Sequence, residues 1–388
     1  MARVSLSWAL ILGLLSGIGP LCTDFYLPAL PEITQQLQAT STQTQLSLTA
    51  ALIGLGLGQL FFGPLSDRIG RLKPLALSLL LFIFSSAMCA LTRDINMLIV
   101  WRFLQGFAAC VSGSVLSRSI ARDKYQGTLL TQFFALLMTV NGIAPVLSPV
   151  LGGYVITAFD WRILFWTMAA IGGVLLVMSL ATLRETRPAT AAHASRQRPG
   201  QPVLKNRRFL RFCLIQAFMM AGLFSYIGSS SFVMQSEYGM SAMQFSLLFG
   251  LNGIGLIIAA MIFSRLARRF SAESLLRGGL TLAVSCAAIM LLFAWLHLPV
   301  LALVGLFFTV SLMSGISTVA GAEAMSAVDA AQSGTASALM GTLMFVFGGI
   351  AAPLAGLGGE TMLKMSLAMA ICYLLALLLG LSKPRDAR

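Results

Sequence analysis

Two ionisable residues stand alone inside long apolar stretches of this chain. Asp24 lies in Cys22-Thr23-Asp24-Phe25-Tyr26-Leu27-Pro28-Ala29-Leu30-Pro31, and Arg102 opens Arg102-Phe103-Leu104-Gln105-Gly106. Apolar surroundings favour the neutral form of a carboxyl, whereas a nearby guanidinium favours its charge. A mobile pair of the two can therefore take up and release a proton as its surroundings change. A third cluster, running from Gly63 to Lys73, sets Asp67, Arg68, Arg71 and Lys73 around a turn at Gly70. Charge-assisted hydrogen bonds from such a turn to nearby helix ends can lock one face of a helical bundle. A solvated basic loop would account for the bases, but not for Asp67 or the glycine spacing.

Bond-making chemistry finds no support. The six cysteines lie in apolar stretches without C-x-x-C spacing, which indicates neither a disulfide framework nor a zinc site, and they read as buried thiols. The two histidines, His193 and His297, make a His-based metal centre unexpected. No clustered nucleophile or phosphate-cradling loop suggests an enzyme.

Composition sets the elements that must hold these residues. Of 388 residues, 57% are hydrophobic and 10% charged, against about 25% charged in a soluble domain. Such a chain needs hydrocarbon as its solvent, and a spanning helix takes roughly 20 apolar residues. Apolar runs fall near 7–28, 44–64, 74–92, 96–117, 129–154 and 163–183, then near 211–232, 243–264, 275–296, 299–322, 334–356 and 362–382. The expected fold is an all-α integral membrane protein with twelve transmembrane helices in two six-helix pseudo-repeats. Residues 1–183 form the first bundle, 184–210 a polar cytoplasmic linker, and 211–388 the second bundle. The first run follows Arg3 and lacks a small-residue cleavage pattern, so it reads as a spanning helix and not a removable signal.

Lysine and arginine in short loops orient the spans. With the N-terminus inside, 22 of the 26 basic residues fall in inner segments, and only Arg93, Arg162 and Lys364 fall in outer ones. Both termini are therefore expected in the cytoplasm. The net charge of +13 becomes a consequence of topology, and no nucleic-acid partner is implied. Two short matches recur at a constant offset: Gly127-Thr128 with Gly334-Thr335, and Gly142-Ile143-Ala144 with Gly349-Ile350-Ala351. Both sit on the fifth helix of a half, as expected of a parallel repeat that rocks about a site at the midplane. The turn after helix 8, Phe263-Ser264-Arg265-Leu266-Ala267-Arg268-Arg269, carries a base where Asp67 would stand.

Depth then relates the two charged residues. Arg102 enters six residues below Asn96, about 9 Å, and Asp24 rises about 25 Å from Ser7, in a core about 30 Å thick. Equal depth on neighbouring helices makes an Asp24–Arg102 ion pair the expectation. The alternatives are an arginine that snorkels to the interface and an aspartate at a helix end near the headgroups. Helix 5 carries Pro145, Pro149, Gly152 and Gly153, residues that bend a helix and let neighbours approach closely. Tyr26, Gln105, Asn141, Gln216, Tyr226 and Asn252 are the polar and aromatic groups expected to line a cavity. Glu323 faces either that cavity or the membrane interface.

The stretch Gly63-Pro64-Leu65-Ser66-Asp67-Arg68-Ile69-Gly70-Arg71-Leu72-Lys73 resembles the major facilitator superfamily signature G-x-L-x-D-R-x-G-R-K, with Leu72 standing where a base is usual. Arg102-Phe103-Leu104-Gln105-Gly106 is similar to the R-x-x-Q-G element of its proton-coupled members. Helix 5 resembles the antiporter motif G-P-x-x-G-G, with Ser148 in place of a glycine, and close packing alone is the other reading of that motif. Together with the string around Asp24, these motifs resemble the bicyclomycin-resistance (Bcr/CflA) branch of drug:proton antiporters. The resemblance implies a monomer in the bacterial inner membrane that exports bicyclomycin- or chloramphenicol-like drugs. It implies no cofactor, a proton gradient as the energy source, Asp24 and Arg102 in proton coupling, and Gly63, Asp67, Arg68, Gly70 and Arg71 as a cytoplasmic gate. A proton-coupled transporter of a metabolite such as a sugar or amino acid shares the scaffold.

Overall fold

Pro20 decides the shape of the first crossing. A proline has no N–H, so the Ser16 carbonyl loses its helical partner, and Gly17 and Gly19 bend at little cost. The computed structural model, which describes residues 6–110, 116–124, 127–186, 203–328 and 333–382, breaks the run accordingly. Helix α1 spans Leu6–Ser16 and α2 Ile18–Asp24, followed by a 3-10 turn at Leu27–Ala29 and α3 at Leu30–Gln36. Pro28 and Pro31 stand in the first turns of the last two, where a missing N–H leaves no bond unmade. The continuous helix expected over 7–28 is thus jointed, and its pieces form one crossing from Leu10 to Gln36.

Helices α4 (Ser41–Ile69), α5 (Leu72–Leu91), α6 (Ile95–Cys110), α7 (Ser117–Lys124), α8 (Gly127–Ile156) and α9 (Arg162–Thr182) follow. The later part holds α10 (Arg207–Phe232), α11 (Ala242–Leu266), α12 (Ala272–Trp295), α13 (Pro299–Ser326), α14 (Ser333–Ala355) and α15 (Met362–Leu381). Among the described residues there is no strand. Ten helices there are long and apolar enough to cross a bilayer, and the shorter apolar stretches Ile95–Cys110 and Gly142–Ile156 fall at the fourth and fifth expected positions. Helix α10 starts four residues ahead of the expected 211, because the Asn206 side chain accepts from the Phe209 N–H at 3.0 Å and caps it. Of the 184–210 segment, residues 187–202 lie outside the described ones.

Contacts divide the chain into two compact units, residues 1–197 and 198–388. In the first, α4 packs on α6, α5 on α6 and α9, and α8 on α1 and α2. In the second, α11 packs on α13, α12 on α13 and α15, and α14 on α10. Counted within each unit these are the same pairs: second crossing with fourth, third with fourth and sixth, fifth with first. The second crossings even begin alike. Thr40 with Gln43 caps α4, and Ser241 with Gln244 caps α11, each as a reciprocal capping box.

Small residues allow the closest of these approaches. Gly54 and Gly58, spaced as G-x-x-x-G, bring α4 against the Phe103 and Phe107 backbone of α6, and Gly106 faces the Ala51 carbonyl in return. Without a hydrophobic drive between helices in lipid, such backbone contact is what holds them together. Leu77, Leu80, Phe84, Val174, Val177, Leu374 and Leu378 instead point outward, each at least 46% exposed. Apolar surface of that extent calls for hydrocarbon around it. The close crossing makes a contrast testable by thermal unfolding in detergent. Gly106→Ala, whose Cβ would overlap the Ala51 carbonyl, is expected to destabilise by about 1–3 kcal/mol. Gly173→Ala in α9, where a Cβ meets nothing within 4 Å, should stabilise by up to about 1 kcal/mol.

Candidate functional site

Helix α2 ends at Asp24 and packs against α6, which carries Arg102 at its centre. Arg102 is fully buried and Asp24 is 5% exposed. The expected ion pair is not made: no contact of 4.0 Å or less joins the two side chains. The guanidinium carbon lies 4.1 Å from the Tyr26 ring centroid and 5.7 Å from that of Phe165. One terminal nitrogen donates to the Gln105 Oε1 atom and to the Cys22 sulfur at 3.6 Å. The Nε atom and the other terminal nitrogen have no hydrogen-bond partner.

Helical register explains this arrangement. Cys22 and Tyr26 are four residues apart and share a face, while Asp24, two residues from each, points elsewhere. The partners of Arg102 are themselves fixed by neighbouring crossings. Gln105 Nε2 donates to Ser86 Oγ on α5 at 2.7 Å and to Met168 Sδ on α9 at 3.3 Å. The Tyr26 hydroxyl lies 3.3 Å from Ser47 Oγ on α4. Glycine 152 brings α8 onto the same joint: a Cβ there would overlap the Phe25 carbonyl. Pro145 and Pro149 lie inside α8, and Gly153 is buried beside Gly152.

The Gly63–Lys73 segment is mostly helix. Gly63, Asp67 and Arg68 belong to the last turns of α4, the Asp67 side chain lies outside the described ones, and Arg68 is exposed. Gly70 ends the helix at φ +98°, a conformation that favours glycine, and a Cβ there would press on the Glu185 carboxylate. Arg71 then makes the turn a junction. Its Nε atom pairs with Asp123 Oδ2 of α7 at 2.9 Å, and a terminal nitrogen donates to Ser66 Oγ at 2.9 Å. Its backbone N–H, with that of Leu72, donates to Glu185 at 2.8–3.2 Å. Glu185 thereby caps the N-terminus of α5, the end where a helix favours an anion.

The amino-acid order alone assigns neither Asp123 nor Glu185 a partner. The signal for Glu185 was its place directly after the sixth apolar run. For Asp123 there was none, because a contact to α7 is tertiary.

In the second unit, the Tyr226 ring stacks on Phe249 at 5.3 Å, and its hydroxyl accepts from Asn252 Nδ2 at 3.0 Å. Gln216 Nε2 donates to the Ser317 carbonyl at 3.3 Å. The Asn252 Oδ1 and Gln216 Oε1 atoms are buried without a hydrogen-bond partner. Glu323 pairs with Arg208 at 2.9 Å near the start of α10. The Asn141 side chain lies outside the described ones. Among the described residues no cluster of metal-ligating side chains occurs.

Two units of matching helix order, each with polar groups sealed among apolar crossings, define a polytopic membrane carrier. The Major Facilitator Superfamily pattern matches residues 12–353. A Bacillus subtilis (strain 168) protein named Uncharacterized MFS-type transporter YdgK is 37% identical, over 98% of this chain and 96% of its own. A Haemophilus influenzae protein named Bicyclomycin resistance protein homolog is 29% identical, over 95% of this chain and 94% of its own. The xylose transporter XylE from E. coli, in a partially occluded inward open conformation, shares the fold with a TM-score of 0.76 at 12% identity, covering 98% of this chain and 99% of that one. The chain belongs to the Major Facilitator Superfamily, as the Gly63–Lys73 resemblance implied, and is a multi-pass transporter of small molecules, not an enzyme.

The Arg71–Asp123 pair can be weighed by a double-mutant cycle with Arg71→Gln and Asp123→Asn. Both side chains are at most 12% exposed, so a coupling of at least about 1 kcal/mol is expected in unfolding measurements. Additive single effects would show that the pair contributes nothing.

Proposed function

We propose that the protein exports small amphipathic drugs, of the bicyclomycin or chloramphenicol kind, in exchange for protons by alternating access. The supporting observation is the burial of Asp24 and Arg102 on neighbouring helices without a bond between them. A charge buried alone is expensive, and that cost falls when the two groups meet or when the carboxyl takes a proton. A motion that swings Asp24 toward or away from Arg102 therefore moves a proton on or off the carboxyl. Protonation from outside releases Arg102 and favours the inward-facing state. Drug arriving from the cytoplasm favours loss of that proton inward, and it does so only through different affinities for the two states.

The turn from Gly63 to Arg71, with Asp67 and Arg68, serves as the cytoplasmic gate. Tyr26, Gln105, Asn141, Gln216, Tyr226 and Asn252 supply polar and aromatic contacts to substrate. The transporter acts as a monomer, needs no cofactor and draws on the proton gradient. Its basic residues, gathered in alternate loops, support an orientation with both termini in the cytoplasm. The relative named for bicyclomycin resistance supports the choice of drugs over sugars, because the xylose-transporter likeness is one of fold alone.

Proteoliposomes holding a trapped pH indicator test the coupling. Adding drug should move protons through the parent protein, and Asp24→Asn should reduce that movement by at least about tenfold, near 1.4 kcal/mol, with drug binding retained. Full drug-driven proton movement in the Asp24→Asn protein would refute the assignment.

A further inference from the structure

The two units treat the turn after their second crossing differently. In the first, Arg71 is answered by Asp123 and the backbone of the turn by Glu185. The counterpart in the second unit is Phe263-Ser264-Arg265-Leu266-Ala267-Arg268-Arg269-Phe270. Arg265, Arg268 and Arg269 are exposed, and none makes an ion pair of 4.0 Å or less among the described residues. The adjacent acid, Glu273, is already engaged by Arg277 at 3.6 Å and Arg211 at 4.0 Å. Three cations thus stand together with no acid in ion-pair contact among the described residues.

An apolar groove of about 410 Å³ opens at the same turn, between α11, α12 and α13. Leu266 and Phe270, which flank the arginines in sequence, line its mouth, and Ala259, Ile262, Leu282 and Leu312 line its depth. From Leu266 to Ala259 the groove follows α11 for about 10 Å. Gly278 keeps it open, since a Cβ at that position meets nothing within 4 Å. Ile262, Phe270 and Leu282 are each about half exposed, at 47%, 54% and 52%, so the groove opens on the outer surface of helices that span a bilayer. A cationic cluster at a helix end, with an apolar trough descending from it into the hydrocarbon, has the shape and charge of a phospholipid's complement.

We propose that this turn and groove bind an anionic phospholipid. Arg265, Arg268 and Arg269 hold its head, and one acyl chain lies along Leu266, Phe270 and Gly278. Three unanswered positive charges select a head of net negative charge over a zwitterionic one. A free phosphate would meet the arginines alone, whereas a phospholipid would also fill the trough.

The full-length protein in a neutral detergent tests this, with the thermal unfolding midpoint followed against dioleoyl-phosphatidylglycerol, dioleoyl-phosphatidylcholine or glycerol 3-phosphate. Phosphatidylglycerol should raise the midpoint at lower concentration than phosphatidylcholine, and glycerol 3-phosphate should not raise it. Replacing all three arginines (R265Q, R268Q and R269Q together) should weaken the phosphatidylglycerol response on the order of a hundredfold. Gly278→Leu, which fills the groove and leaves every arginine in place, should weaken it as well. Equal responses to the two lipids, a preference that survives both variants, or a shift produced by glycerol 3-phosphate alone would each overturn the proposal.

Discussion

A guanidinium buried from solvent and, among the described residues, in ion-pair contact with no carboxylate is the constraint on which the first unit turns. Moving a charge of that kind out of water costs several kcal/mol even after relaxation. Arg102 recovers part of this through the face of Tyr26, the amide oxygen of Gln105 and the thiol of Cys22. None of these is an anion. Each is held in place by a different crossing: Tyr26 by Ser47 on α4, and Gln105 by Ser86 on α5 and Met168 on α9. Shifting any of these crossings would therefore alter the surroundings of one buried charge, which gives a conformational change a direct electrostatic consequence.

Backbone contact makes that convergence possible. Helices α4 and α6 meet at Gly54, Gly58 and Gly106, and α8 meets the joint of the first crossing at Gly152. With so little side chain between the backbones, Tyr26 reaches over the guanidinium and Phe165 completes the aromatic wall. The break at Pro20 adds to this, since the short α2 helix and its 3-10 extension set Cys22 and Tyr26 at their own angle to α6. A straight helix through residues 7–28 would lack that freedom of placement.

Much of this was legible in the amino-acid order, for physical reasons. Each crossing must supply about 20 apolar residues, so the spans announce themselves, and the recurrence of Gly-Thr and Gly-Ile-Ala pointed to a repeated unit that the helix pairings now show. Depth along the membrane normal also follows from counting residues. Azimuth does not, and the Asp24–Arg102 pair failed on azimuth. Helical spacing held the missing clue, because Cys22 and Tyr26 lie four apart and Asp24 lies between them. The Gly54/Gly58 spacing was equally readable as a packing face. The roles of Asp123 and Glu185 were not, since each depends on where chain segments 52 and 114 residues away from Arg71 come to rest.

The divergence of the two turns carries the comparison of the repeats furthest. Both units keep the order of crossings, the capping box that opens the second one, and arginines at its far end. Among the described residues, only the first supplies acids to meet those arginines, through α7 and the segment after α9. An arginine met by Asp123 and Ser66 restrains helices against one another. Arg265, Arg268 and Arg269, exposed beside an apolar trough, make no such ion pair among the described residues. The second turn also carries a base where the first has Asp67. The same end of the second crossing is thus a charge-paired junction in one unit and an exposed basic turn beside an apolar groove in the other.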